Sequence, residues 1–319
     1  MTHRTWRHAP AGILKQLQPL FLDDELDRVI DIHRNSSFEL ERSRLFAADY
    51  EYPATEIFEL KSASLLHGQV YSMNGRISLR SSRFSMRKLL PCRLSKAPSG
   101  FIGCSIQTWH SFACWLTDQL ATEWLGNNLG CQIFTAERRF HHTDAYRAKL
   151  PWHALSQTDC RFERLLLAHD RGHNPSRVAR LQALRETLRE NWRPIQSYDM
   201  VYILSGRTKP KNHLVNEQKI ARYVRDQGGL VIQPDEMFIR DITAAFHGAQ
   251  VVIGVEGEAF AHLLMLGAPT STLVAIQPPP VPQRFEDVHR CHRDALRLHG
   301  GGEPHRGISV ASRSACPSY

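Results

Sequence analysis

Two clusters in the C-terminal half carry residue types that could do chemistry. Arg207, Lys209 and Lys211 crowd one short stretch just after the apolar run Met200-Val201-Tyr202-Ile203-Leu204. Gly254-Val255-Glu256-Gly257 follows a second apolar run, Val251-Val252-Ile253. Cations and glycine amides are what a bound phosphate or diphosphate needs. The cations neutralise developing negative charge, glycine lets the anion approach the backbone, and a following helix start offers N–H groups. Glu256 would repel a diphosphate and suits ribose or sugar hydroxyls instead. On residue types alone, Arg207 and Lys211 fit a solvated loop equally well. Gly254 and Gly257 equally fit a packing turn, because a short Gly-x-x-Gly is a weak signal.

The elements that must position these clusters are legible from periodicity. Between Tyr198 and Gln277 short Val- and Ile-rich runs at 200–204, 230–232, 251–253 and 272–276 alternate with helical patterns. The helices are predicted from about Leu214 to Arg225, around Ile239, Ile242, Ala245 and Phe246, and from Ala259 to Leu266, with Gly228-Gly229 and Gly267 as stops. Strands apolar on both faces that alternate with helices predict a parallel sheet covered by helices. Right-handed crossovers gather the loops after the strands on one edge, where ligands of open α/β sheets bind. Both clusters fall on that edge.

The rest of the chain is bounded by composition. Its 319 residues are enough for two domains, and 42% hydrophobic with 23% charged residues is ordinary for a soluble globular protein. The net charge of +8 and pI near 9.3 favour an acidic partner, whether nucleotide, phosphate, anionic membrane or nucleic acid. No run of apolar residues is long enough for a transmembrane helix, and the first residues lack the apolar core of a secretory signal. The seven scattered cysteines show no metal spacing and read as free thiols in a reducing, cytoplasmic compartment.

Upstream, Leu65 to Ile77 reads as a hairpin turning at Asn74-Gly75. Arg80 to Lys96 is a basic stretch that suits a solvated loop or steering of an acidic ligand. Trp109 to Leu120 is helical in spacing, with Phe112, Trp115, Leu116, Gln119 and Leu120 near one face and Asp118 off it. Periodicity alone makes this a core helix with a solvent-facing Asp118. Ile133-Phe134 and Leu165 to Leu167 are expected strands of a first α/β unit. Arg177 to Trp192 is a basic amphipathic helix with Val178, Leu181, Leu184 and Leu188 inward, and Pro194 ends it. The expected organisation is an N-terminal α/β domain over 1–195, a nucleotide-binding domain over 196–299, and a disordered tail over 300–319.

Taken together, Leu204-Ser205-Gly206-Arg207, the Asn216-Glu217 pair, the run Val251 to His262 and the stretch Phe112 to Asp118 resemble glycosyltransferase family 61. These are the capsular-polysaccharide-type glycosyltransferases. Order and spacing agree over roughly Gly103 to Gln277, although no single motif is specific. Four positions bear on the match to the family pattern: Cys114 and Glu256 stand where His is usual, Asp241 where Gln is common, and the basic position just before Asn216-Glu217 is His213. The resemblance implies two Rossmann-like domains facing across a cleft, the GT-B arrangement. It implies a nucleotide-sugar donor, a glycan or other hydroxyl acceptor, and inversion at the anomeric carbon with Asp118 as base. Arg207, Lys211, Asn216, Glu217, Gly254, Glu256, Gly257, Ala259 and, secondarily, His262 become donor-side residues, and Cys114 and Trp115 acceptor-side ones. No Asp-x-Asp metal motif occurs, so no essential metal or other cofactor is expected.

Three other readings compete, the last of them a dinucleotide-dependent oxidoreductase, which ranks lowest because no GxGxxG follows the first strand of the parallel unit. The departures at Cys114 and Glu256 suit a catalytically inactive relative that binds a sugar nucleotide or a glycan. The positive charge suits a nucleic-acid-binding protein, although no recognition motif accompanies it and no nucleic-acid partner is expected. A peripheral contact with an anionic membrane is compatible with the same charge.

Overall fold

A computed structural model describes residues 4–15, 26–28, 37–73, 75–80, 94–156, 159–190, 197–206, 214, 216–276 and 309–311. The chain divides into two compact units. The first comprises Met1–Ile13 and Glu51–Leu188, and the second Leu14–Tyr50 and Arg189–Tyr319. The division near residue 189 falls close to the proline expected to end the long basic helix. Sequence had assigned 14–50 to the first domain. The chain instead leaves the first unit after Ile13 and returns at Glu51, because spatial neighbours rather than sequence neighbours decide membership.

In chain order, β1 (Arg4–Ala9) and β2 (Gly12–Lys15) are followed by α1 (Phe38–Phe46), capped by Ser37, and β3 (Asp49–Tyr52). Next come β4 (Thr55–Leu66), β5 (Gln69–Ser72), β6 (Gly75–Ser78) and β7 (Ser95–Ile102). A helical stretch then runs through α2 (Ile106–His110), α3 (Phe112–Cys114), a π-helical turn over Trp115–Gln119, and α4 (Leu120–Asn128). The first unit ends with β8 (Ile133–Thr135), α5 (Thr143–Arg147), β9 (Ala154–Ser156), β10 (Asp159–His169) and α6 (Pro175–Arg189).

The first unit's sheet has the order β6-β5-β4-β10-β7-β8-β9, with β1 also paired to β4; β2 and β3 form a separate two-stranded sheet. Strands β10, β7, β8 and β9 are parallel, but β4 runs antiparallel to β10, to β1 and to β5. The expected Rossmann-like first domain is therefore corrected to a mixed sheet. The cause is β4, whose alternating pattern commits it to a half-buried antiparallel role. The hairpin turns are also local. Leu66 faces Gln69 across His67-Gly68, both at positive φ, as a two-residue turn of the I′ kind requires. Ser72 faces Gly75, so the next loop is 73–74 rather than Asn74-Gly75; Asn74 itself lies outside the described residues.

The second unit's elements are β11 (Met200–Ile203), α7 (Glu217–Asp226), β12 (Leu230–Ile232), a 3-10 turn over Pro234–Glu236 and α8 (Ile239–His247). They continue with β13 (Val251–Val255), α9 (Phe260–Leu266), β14 (Thr272–Ile276) and β15 (Ser309–Ala311). The sheet is all parallel in the order β12-β11-β13-β14-β15, as the apolar runs predict for β11 to β14. The fifth strand comes from the tail expected to be disordered, where Ser309–Ala311 pairs with Val274–Ile276. Short strands gain the backbone bonds of a neighbour wherever one is offered, and composition hides that. Helix α7 ends as Gly228-Gly229 dictate. Gly228 has φ +78 and donates to the Arg225 carbonyl, and Gly229 donates to that of Val224, each at 2.9 Å. No helix of the described residues is long and apolar enough to cross a membrane.

Candidate functional site

In the second unit the connectivity itself marks a place. The chain passes from β11 to β12 on one side, then crosses to β13 on the other, so the order reverses between β11 and β13. Ile203 pairs with Gly254, and the loops leaving these two strands diverge at a topological switch point. Ser205-Gly206 leaves one strand and Glu256-Gly257 leaves the other. The sheet thus brings the start of the basic loop and the glycine turn onto one edge. Arg207, Lys209 and Lys211 themselves lie outside the described residues.

The loop after β11 is anchored from α7. Glu217 is buried; its Oε1 accepts the Ser205 N–H at 2.8 Å and its Oε2 accepts the Ser205 hydroxyl at 2.7 Å. Glu217 therefore holds the loop rather than facing outward. Burial, followed by the neighbouring Glu217 charge, pushes the Tyr202 phenol well up from its ordinary range. Asn216 caps α7 from an exposed position, without a side-chain cap bond.

The two glycines of the turn differ. Gly254 belongs to β13, where a side chain would meet Phe260 at 2.9 Å and the Ile203 carbonyl at 3.1 Å, so it is a packing glycine. Gly257 is exposed, and a side chain there would find no neighbour nearer than 3.8 Å. The amides of Phe260, Ala261 and His262 already donate to the carbonyls of Gly257, Glu258 and Ala259. Glu256 donates its own amide to the Ile276 carbonyl at 2.9 Å, which ties the turn to β14. Ala259 caps α9, and His262 is 3% exposed inside a helix whose residues are all buried.

In the first unit the residues of interest ride on the π turn. The Leu120 amide donates to the Trp115 carbonyl, a five-residue spacing that widens the helix by one residue. Trp115 is fully buried, not acceptor-facing. It stacks on Phe112 at 5.9 Å between centroids, and its indole N–H donates to Glu137 Oε2 at 2.6 Å. Its large apolar area explains the correction. Cys114, half-buried, has its amide capped by Ser111 at 3.3 Å.

Asp118 is half-buried, 19% exposed at its side chain, and its Oδ1 accepts from Arg177 Nη2 at 2.5 Å. Arg177 is 2% exposed and also donates to the carbonyls of Thr117 and Asp170. Behind it, Asp170 receives Arg180 through two bonds of 2.6 and 2.9 Å, with Thr55 at 2.7 Å and Thr122 at 3.3 Å. A second buried cluster lies across the helix. Glu123 and Glu137 share the Arg147 guanidinium, and Gln119 Nε2 reaches Glu123 at 2.8 Å and Glu137 at 3.0 Å. The Trp152 indole completes it on Glu123 at 3.1 Å.

Sequence reading missed both clusters. It expected α6 to turn Val178 inward and its basic residues out, whereas Arg177, Arg180 and Arg185 are buried beside Leu181, Leu184 and Leu188. Arginines spaced three apart on the leucine face were the available signal.

An open parallel sheet with a switch point between β11 and β13 places the second unit in the ligand-binding α/β class. The chain belongs to the glycosyltransferase 61 family, whose model matches residues 83–274. Membership makes it a glycosyltransferase, with a donor and an acceptor substrate. No curated protein matches the chain.

Proposed function

We propose that the protein moves a sugar from a nucleotide-sugar donor to a glycan or other hydroxyl acceptor with inversion, and that the second unit holds the donor. The observation carrying this reading is the switch point between β11 and β13 in a chain of this family. Arg207 and Lys211 supply cations to the diphosphate. The open turn at Gly257, with the amides ahead of α9 near Ala259, gives the anion room beside the backbone. Glu256 takes hydroxyls of the ribose or sugar, Asn216 lies at the exposed head of α7, and Glu217 sets the loop. The reaction runs without an essential metal, the cations carrying the leaving-group charge.

Asp118 is the proposed base, with Cys114 beside it on the acceptor side. Its Arg177 bond fixes one carboxylate oxygen, and the π turn supports the reading because such turns recur at functional sites. The same ion pair also favours a second reading, a purely structural Asp118 in a relative that binds donor without turnover. Assay against UDP-, GDP- and CMP-sugars separates the two. Asp118→Asn abolishes transfer and keeps nucleotide binding if Asp118 is the base; full turnover in that variant assigns the base elsewhere, with Glu256 next to test. Arg207→Ala weakens nucleotide binding by about 1.5–3 kcal/mol, the worth of a charge-assisted bond.

A further inference from the structure

The turn after β12 is not used by the chemistry described so far. Pro234 opens its 3-10 turn, and the exposed carboxylate of Asp235 packs directly against Gly206. Gly206 has φ +70, and a side chain there would collide with that carboxylate. Two residues past the turn the backbone is pinned: the Phe238 carbonyl accepts the amides of Asp241 at 2.9 Å and Ile242 at 3.1 Å at the head of α8. The Phe238 ring is nevertheless 70% exposed, while Ile239, Ile242 and Phe246 of the same helix are buried. Arg240 holds its guanidinium 5.2 Å from the ring centroid and is tied to Asp241 at 3.2 Å.

A lone exposed phenylalanine is ordinary on a protein surface. Here it comes with a carboxylate, a cation over the ring and a fixed backbone, on the binding edge of the sheet. β12 is the neighbour of β11 on the side away from β13, so the ends of β12 and β13 are about 10 Å apart. A ligand with its phosphates at the switch point must extend its uncharged part to one side, and on the β12 side it meets this turn.

Resting on the donor reading of the second unit, we propose that Phe238 is the platform on which the donor's nucleobase stacks and that Asp235 accepts its ribose hydroxyls. Any base offers a π face, and a cation near the ring adds to the attraction. A carboxylate is a poor neighbour for a diphosphate but a good acceptor for a vicinal diol. The two ends of a nucleotide would thus be sorted by charge along the edge.

The test is calorimetry on the full chain with UDP, GDP, CMP and inorganic pyrophosphate. The wild-type protein binds at least one of the three nucleotides. Phe238→Ala weakens that binding about tenfold or more and leaves pyrophosphate unchanged. Asp235→Asn weakens the ribonucleotide more than its 2′-deoxy counterpart. Phe238→Trp gives indole fluorescence that the nucleotide quenches and pyrophosphate does not. Thermal melts of the variants matching the wild type keep a folding defect out of the comparison. A Phe238→Ala protein that binds nucleotide as the wild type does overturns this inference and leaves the donor reading standing. A wild-type protein that binds none of the nucleotides overturns both.

Discussion

Asp170 has a side chain only 1% exposed, yet its carboxyl is held below the usual carboxylate range. Burial by itself pushes the other way. The bonds from Arg180, the charges of Arg177 and Arg180, and the Thr55 hydroxyl outweigh it. A depressed carboxylate contributes stability that is present above its unfolded value, near 3.8, and is lost as pH falls through the lower folded value. Asp170→Asn is therefore expected to cost about 3–5 kcal/mol at neutral pH, the penalty of breaking a buried pair. In urea titrations the gap from wild type should narrow once pH drops below about 4; a constant gap down to pH 2 would mean the charge contributes nothing. The arginines on the leucine face of α6 hint at a buried partner, but that partner is not visible in the chain, because Asp170, Thr55 and Arg180 meet only after folding. Cys104 was easier to read. Its thiol is free, as scattered cysteines without metal spacing suggest, and burial pushes it up to about 12.

At the scale of elements, the parallel sheet was the most legible part. Its strands carry continuous apolar runs, and glycines stop its helices where the backbone needs them. Strand β4 is hard to read from sequence because its buried positions include Thr55 and Glu59, polar letters set among apolar ones. Glu59 meets the Arg164 guanidinium there at 2.8 Å. Within the candidate site, the resemblance makes Glu217 a donor-side residue, and its carboxylate turns back onto the loop after β11. A carboxylate with both oxygens occupied by Ser205 works as a clamp. Glu217→Ala should destabilise the protein by about 1–3 kcal/mol, since it leaves a backbone N–H and a hydroxyl unpaired. Glu217→Gln should cost less, because the serine hydroxyl can turn and accept from the new amide. Equal losses in chemical denaturation for the two variants would show that the charge, not the bonding pattern, is what matters.

On the scale of the molecule, the second unit is interrupted in sequence: it takes in Leu14–Tyr50 as well as Arg189–Tyr319, and its parallel strands begin only at Met200. Synthesis is vectorial, and at ~5–20 residues per second the later part follows the earlier by roughly 10–30 s. For that interval segment 14–50 has left the ribosome while its own unit does not yet exist. The first unit, whose last sheet strand ends at His169, has by then been completed. Protease digestion of ribosome-arrested chains should cut within 14–50 when translation stops near residue 190 and should spare it once the chain extends past residue 276. Equal protection at both lengths would show that the segment folds without its late partner. The discontinuity thus sets a waiting time during biosynthesis, the period in which a chaperone has most to offer this chain.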